Sequence, residues 1–237
     1  MSARQASKAR SHAAPKKKDL VFLFDVDNTL FDNDRMQNDL FGYIGREFGQ
    51  KARERYLEIY EELRSELGYA DYLGALERYR QEKLRDPRFL HVSNWLIDYP
   101  FRKRLYPGAL KVVKRCRRWG KVAILSDGDA VFQPRKVERS GLWKAVGGNV
   151  MIFIHKEQEL DCVERFYPAK HYVMVDDKLR LLQAIKDIWK DRVTTVFVRQ
   201  GHYARDQKAI AQYRPADLSI RRIADLLEMK RTAFLGA

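Results

Sequence analysis

The chain has 237 residues, of which 45% are hydrophobic and 33% charged, and its formal net charge is +14. That balance excludes a disordered chain, and no apolar run approaches the roughly 18 residues that a membrane-spanning helix requires. Cys116 and Cys162 lie far apart without CxxC or Cys/His spacing, which gives no support to a zinc site or disulfide framework and points to reduced thiols in a cytoplasmic protein.

The positive charge is unevenly placed. Residues 1–18 carry Arg4, Lys8, Arg10, Lys16, Lys17 and Lys18 and no acid. With no apolar h-region this segment is not a secretory signal; it reads as a disordered basic leader. Such leaders are more often simply solvated; nucleic acid is a partner only in a weak, electrostatic sense, and no membrane partner is expected.

Leu20–Phe24 then forms a continuous apolar run that stops abruptly at Asp25. Continuous rather than alternating hydrophobicity predicts a strand buried on both faces, as in a parallel sheet flanked by helices. From 33 to 103 the period changes. Leu40, Ile44 and Phe48, then Tyr56, Ile59, Leu63 and Leu67, recur at helical spacing, and a further helical stretch is expected through Leu84. The tyrosines of this segment are expected to pack its helices. The segment reads as an all-helical insert.

From Leu105 strands and helices alternate. Pro107-Gly108 opens a helix expected to run through Arg118, and strands are predicted at Lys121–Leu125, Val150–Ile154, Tyr172–Val175 and Val193–Val198. Helices are expected near 132–139, 157–166 and 178–190. This alternation argues for an α/β fold with a parallel sheet and right-handed crossovers. Ligands in such sheets bind beyond the carboxyl ends of the strands, so the residues there carry the functional reading.

Asp25-Val-Asp27-Asn-Thr29-Leu30 places two carboxylates just past a buried strand. Such a pair is unfavourable unless a cation or hydrogen bonds compensate it, and a hard divalent ion such as Mg2+ takes oxygen ligands of this kind. Asp176-Asp177 repeats the pattern at a later strand end. Ser126-Asp127-Gly128 offers a hydroxyl, a second polar residue and a flexible glycine for a phosphate. Lys156 places a cation at a fourth strand end.

Asp25–Leu30, Ser126, Lys156 and Asp176-Asp177, in that order, resemble the four motifs of the haloacid dehalogenase superfamily. The resemblance spans about Leu20 to Arg199, with 33–103 in the place of a helical C1 cap. It implies a Rossmann-like three-layer αβα core made from 19–32 and 104–237. It further implies a nucleophile at Asp25, an acid and base at Asp27, phosphoryl contacts from Ser126 and Lys156, and Mg2+ ligation by Asp25, Asp176, Asp177 and the Asp27 carbonyl. Lys136 rivals Lys156 as the catalytic lysine, and Lys156 is favoured because it directly follows a strand. Asp27 stands where dehalogenating members lack Asp, since halide leaves without a proton. The implied activity is therefore magnesium-dependent hydrolysis of a small phosphomonoester through an aspartyl-phosphate. Phosphomutase action, or binding and regulation on the same scaffold, are the alternatives.

Overall fold

The structure is a computed structural model that describes residues 18–82 and 86–235. The basic leader up to Lys17 and the expected helix end at Leu84 lie outside the described residues.

Strand β1 (Lys18–Phe24) enters the centre of the sheet and is followed by four helices: α1 (Asn33–Phe48), α2 (Gln50–Leu67), α3 (Tyr72–Glu82) and α4 (Leu90–Ile97). Then come α5 (Ala109–Cys116), β2 (Lys121–Asp127), α6 (Phe132–Ser140), α7 (Leu142–Ala145) and β3 (Val150–Phe153). The chain continues through α8 (Leu160–Phe166), β4 (Ala169–Asp176), α9 (Leu179–Trp189), β5 (Val193–Val198), α10 (Gln207–Ile210) and β6 (Leu218–Ile220). The six strands are all parallel and ordered β3-β2-β1-β4-β5-β6. This is the Rossmann-like α/β architecture.

Alternate side chains of each strand feed opposite layers. Phe22, Phe24, Ile124 and Val175 pack with the insert, α5 and α6, while Val21, Leu23, Leu125 and Met174 pack with α8 and α9. Burial on both faces explains why the strands read as unbroken apolar runs. Strand order reverses between β1 and β4, which opens a crevice beyond their carboxyl ends. Phe24 is in register with both Ile124 and Val175, so Asp25, Leu125-Ser126 and Asp176 emerge side by side.

Helix ends in the insert follow their capping residues. Asp32 caps α1 by accepting from the Arg35 N–H, and left-handed Gly68 ends α2 with its N–H donated to Arg64 O. Tyr56, Tyr60, Tyr72 and Tyr79 are buried, and Tyr60 stacks on Tyr72 with ring centroids 5.1 Å apart. These four pack as expected, whereas Tyr69, expected to pack with them, is only half-buried and lines a cleft.

Some boundaries differ from the sequence reading. The helix after Gly108 stops at Cys116, and the third strand stops at Phe153. The helix expected from 157 begins at Leu160, because Lys156–Gln158 form a 3-10 turn. Strand β6, with three residues, was not anticipated.

Candidate active site

The loop leaving β1 is shaped by Asn28, a non-glycine residue at φ 59. Its Oδ1 accepts from the N–H groups of Asn33 and Asp34 at 3.1 Å each, and its Nδ2 donates to Asp34 Oδ1 at 2.9 Å. These bonds compensate the left-handed turn and begin α1 directly behind the two acids. Gln200, after β5, donates to Thr29 O at 3.1 Å. Gly201 lies so close that a Cβ there would meet Asn28 at 2.5 Å.

Four strand ends meet around Asp25, which is buried with 6% exposure. Lys156 Nζ lies 2.7 Å from Asp25 Oδ1 and 2.6 Å from Asp176 Oδ2. Asp127 accepts the Lys156 backbone N–H at 2.7 Å, so this carboxylate fixes the turn that presents the lysine. Asp176 accepts the Lys178 N–H at 2.8 Å.

The other lysine is also in the site, on a different acid. Lys136 Nζ donates to Asp27 Oδ1 at 2.6 Å and to Asn33 Oδ1 at 3.1 Å. Gln133 Nε2 donates to Asp27 Oδ2 at 3.2 Å and to Ser126 Oγ at 2.9 Å. The Gly128 N–H is taken up by Phe153 O at 2.9 Å, and its missing Cβ makes room for Gln133, which a side chain would meet at 2.7 Å. Asp127 and Gly128, anticipated as phosphate-loop contacts, thus have polar groups turned to Lys156 and β3. Ser126 faces Gln133 and the Asp27 side.

Burial and crowding of like charge govern the electrostatics. Asp176 is pushed up to about 6 by desolvation and the nearby Asp25, against the pull of Lys156. Asp177 is pushed well above the usual carboxylate range, first by desolvation and then by Asp176. Both Asp177 carboxylate oxygens are buried with no hydrogen-bond partner among the described residues. Asp25, Asp176 and Asp177 each bring an oxygen to within 4.8 Å of the others. A buried cluster of oxygen donors with orphaned acceptors fits a hard cation, which would satisfy Asp177 and offset the excess negative charge.

Beside the site, Tyr69, Gly128, Ile152, Ile154 and His155 line part of a cleft of about 810 Å³ between the insert and the ends of β2 and β3.

The sequence pointed to Asp25, Asp27, Ser126, Lys156, Asp176 and Asp177 as site residues, with Lys136 as a rival lysine, and the structure brings all of them to one end of the sheet. Sequence reasoning missed Gln133, Asn33 and Gln200. Gln133 and Lys136 are three residues apart on one helix just after the Ser126 strand end, the only local signal either gave.

The profile of the haloacid dehalogenase-like hydrolase family matches residues 20–188. A haloacid dehalogenase-like hydrolase from Burkholderia xenovorans LB400 is 60% identical, covers 90% of this chain and 99% of its own, and superposes with a TM-score of 0.86. L-2-haloacid dehalogenase from Xanthobacter autotrophicus is 18% identical over 88% of this chain and 96% of its own, with a TM-score of 0.57. A HAD-hydrolase from Bacillus subtilis solved with magnesium is 15% identical over 90% and 98%, with a TM-score of 0.61. No curated protein matches the chain. The fold and the buried acidic cluster define a hydrolase of α/β architecture. The chain belongs to the haloacid dehalogenase-like hydrolases.

Proposed function

We propose that this hydrolase is a magnesium-dependent phosphomonoesterase that works through an aspartyl-phosphate at Asp25. The observation that carries the reading is Asp27. Its side chain stays 25% exposed beside a nucleophile that is almost wholly buried, and both its oxygens are held by donors. A carboxyl group fixed there is placed to protonate a leaving oxygen; a departing halide needs no proton. The likeness to L-2-haloacid dehalogenase is one of fold.

In the first step an Asp25 carboxylate oxygen attacks phosphorus. The bond from phosphorus to the leaving oxygen breaks, and that oxygen takes its electron pair and a proton from Asp27. In the second step water attacks phosphorus and gives a proton back to Asp27. The phosphorus bond to Asp25 then breaks, releasing inorganic phosphate and the free carboxylate. Lys156 steadies Asp25 and offsets phosphoryl charge, while Ser126 contributes a hydroxyl to the phosphoryl oxygens. Magnesium, held by Asp25, Asp176, Asp177 and the Asp27 carbonyl, would supply the charge neutralisation that lets an anionic carboxylate meet an anionic ester. The helical insert would close over the strand ends and select the substrate.

The test is to offer p-nitrophenyl phosphate and 2-chloropropionate in parallel, with and without magnesium. Magnesium-dependent phosphate release without chloride release is expected. Chloride release without phosphate release would overturn the reading.

A further inference from the structure

We propose that Lys136 is the positioning residue for acid–base catalysis, acting through Asp27 and tying its orientation to the helical insert. The proposal rests on the reading above that Asp27 gives and takes the proton.

Lys136 is 1% exposed. An ammonium group buried this deeply is costly unless it is paired and hydrogen-bonded. Its partners meet that demand in one direction only. Nζ donates to Asp27 Oδ1 at 2.6 Å and to Asn33 Oδ1 at 3.1 Å, and it lies 5.4 and 5.3 Å from the ring centroids of Phe31 and Phe132. The aromatic rings leave the amine little choice of position, so the lysine fixes the aspartate more than the reverse.

Asp27 needs such a support. It sits in a loop, and a proton donor must stay within hydrogen-bond reach of the leaving oxygen. Gln133, one turn earlier on α6, holds the second oxygen at 3.2 Å and the Ser126 hydroxyl at 2.9 Å. One face of α6 therefore sets the acid–base carboxyl relative to the phosphoryl-holding serine. The longer contact leaves Oδ2 the freer oxygen for proton transfer.

The support reaches into the insert. Asn33 opens α1, and its Nδ2 donates to Tyr72 Oη at 3.1 Å. Tyr72 opens α3 and stacks on Tyr60 of α2. Asn33 therefore links Lys136, and through it Asp27, to the packing of the insert. Two lysines thus divide the work: Lys156 serves the nucleophile, Lys136 the acid and base.

The experiment is a double-mutant cycle with Asp27→Asn, Lys136→Met and the pair. Steady-state rates on an alkyl phosphate are combined with single-turnover phosphoenzyme formation from 2,4-dinitrophenyl phosphate, whose leaving phenolate needs no proton. Lys136→Met should lower kcat about 100-fold, the lower end for general acid–base catalysis, with KM changed less than about threefold. It should spare phosphoenzyme formation from the dinitrophenyl ester, and should cost nothing further in the Asp27→Asn background. Equal losses in both backgrounds, or loss of phosphoenzyme formation from the activated ester, would overturn the proposal. If Lys136→Met does not fold, the same cycle with Lys136→Gln decides, since glutamine keeps an N–H for Asp27 without the charge. A wild-type enzyme that forms no phosphoenzyme would instead sink the phosphatase reading itself.

Discussion

Lys156 Nζ lies 2.7 Å from Asp25 Oδ1, and both side chains are shut away from solvent. Neither residue is near the other in sequence, and the pair exists because β1 and the turn after β3 end at the same edge of one sheet. Lys156→Met leaves Asp25 and Asp176 without their shared cation. Breaking a buried pair in this way costs on the order of 3 kcal/mol, and on the phosphatase reading the phosphoryl group would also lose its cation. Thermal melts should show the destabilisation, and turnover should fall at least about 100-fold; a variant with wild-type turnover would remove Lys156 from the chemistry.

Asp177 predicts how the protein responds to metal. With both oxygens lacking a hydrogen-bond partner among the described residues, its charge opposes folding unless a cation pairs with it. Magnesium at about 100 times its Kd should stabilise the wild type by about 2.7 kcal/mol, seen as a rise in Tm. Asp177→Asn should raise the metal-free Tm and abolish most of the magnesium effect. An undiminished magnesium shift in that variant would place the ion elsewhere.

Gly201 tests the backbone that shapes the loop carrying Asp25 and Asp27. At φ 69 it is left-handed, and a Cβ would press on Asn28 at 2.5 Å. Gly201→Ala should cost about 2 kcal/mol in strain and displacement and lower activity with it, because Asn28 sets the turn between Asp27 and α1. A crystal structure of the variant with Asn28 unmoved and activity intact would contradict this.

Asp39 on α1 accepts from Tyr99 Oη at 2.5 Å and from Arg104 Nη2 at 2.6 Å, fastening the start of the insert to its end. Burial opposes ionisation of its carboxyl, but these two partners outweigh it and hold the group below its ordinary value of 3.8. The folded state thus binds this proton less tightly than the unfolded one. The stabilisation is present above pH 3.8 and is lost as pH falls through the lower folded value. Asp39→Asn should therefore lower Tm at neutral pH, with the gap to wild type closing in strong acid. A gap independent of pH would mean the network contributes through packing alone.

Strands β1, β2, β4 and β5 were legible because their apolar runs are buried and give way to polar residues: Phe24 to Asp25, Leu125 to Ser126, Val175 to Asp176 and Val198 to Arg199. β3 is half-buried throughout and was legible from its apolar run alone. β6 was not, since Leu218–Ile220 is short and its middle residue, Ser219, is exposed. Lys136 and Lys156 were both visible, but one sequence offers no means of telling which acid each meets. That depends on α6 carrying Lys136 to Asp27 while the turn after β3 lets the Lys156 side chain reach Asp25 and Asp176. Gln133 and Asn33 gave still less signal, because a polar residue on a helix ordinarily faces water. Their polar partners are distant in sequence: Gln133 meets Asp27, and Asn33 meets Tyr72 and Lys136.

The central claim is that Asp25 becomes phosphorylated during turnover. The most direct measurement is mass spectrometry of peptides from enzyme acid-quenched during hydrolysis of a phosphomonoester with magnesium. A phosphoryl group on the peptide that holds Asp25, absent from the Asp25→Asn variant and from the magnesium-free reaction, is the predicted result. Steady phosphate release by the Asp25→Asn variant, or a wild-type enzyme that turns over with the label on another residue, would contradict the account.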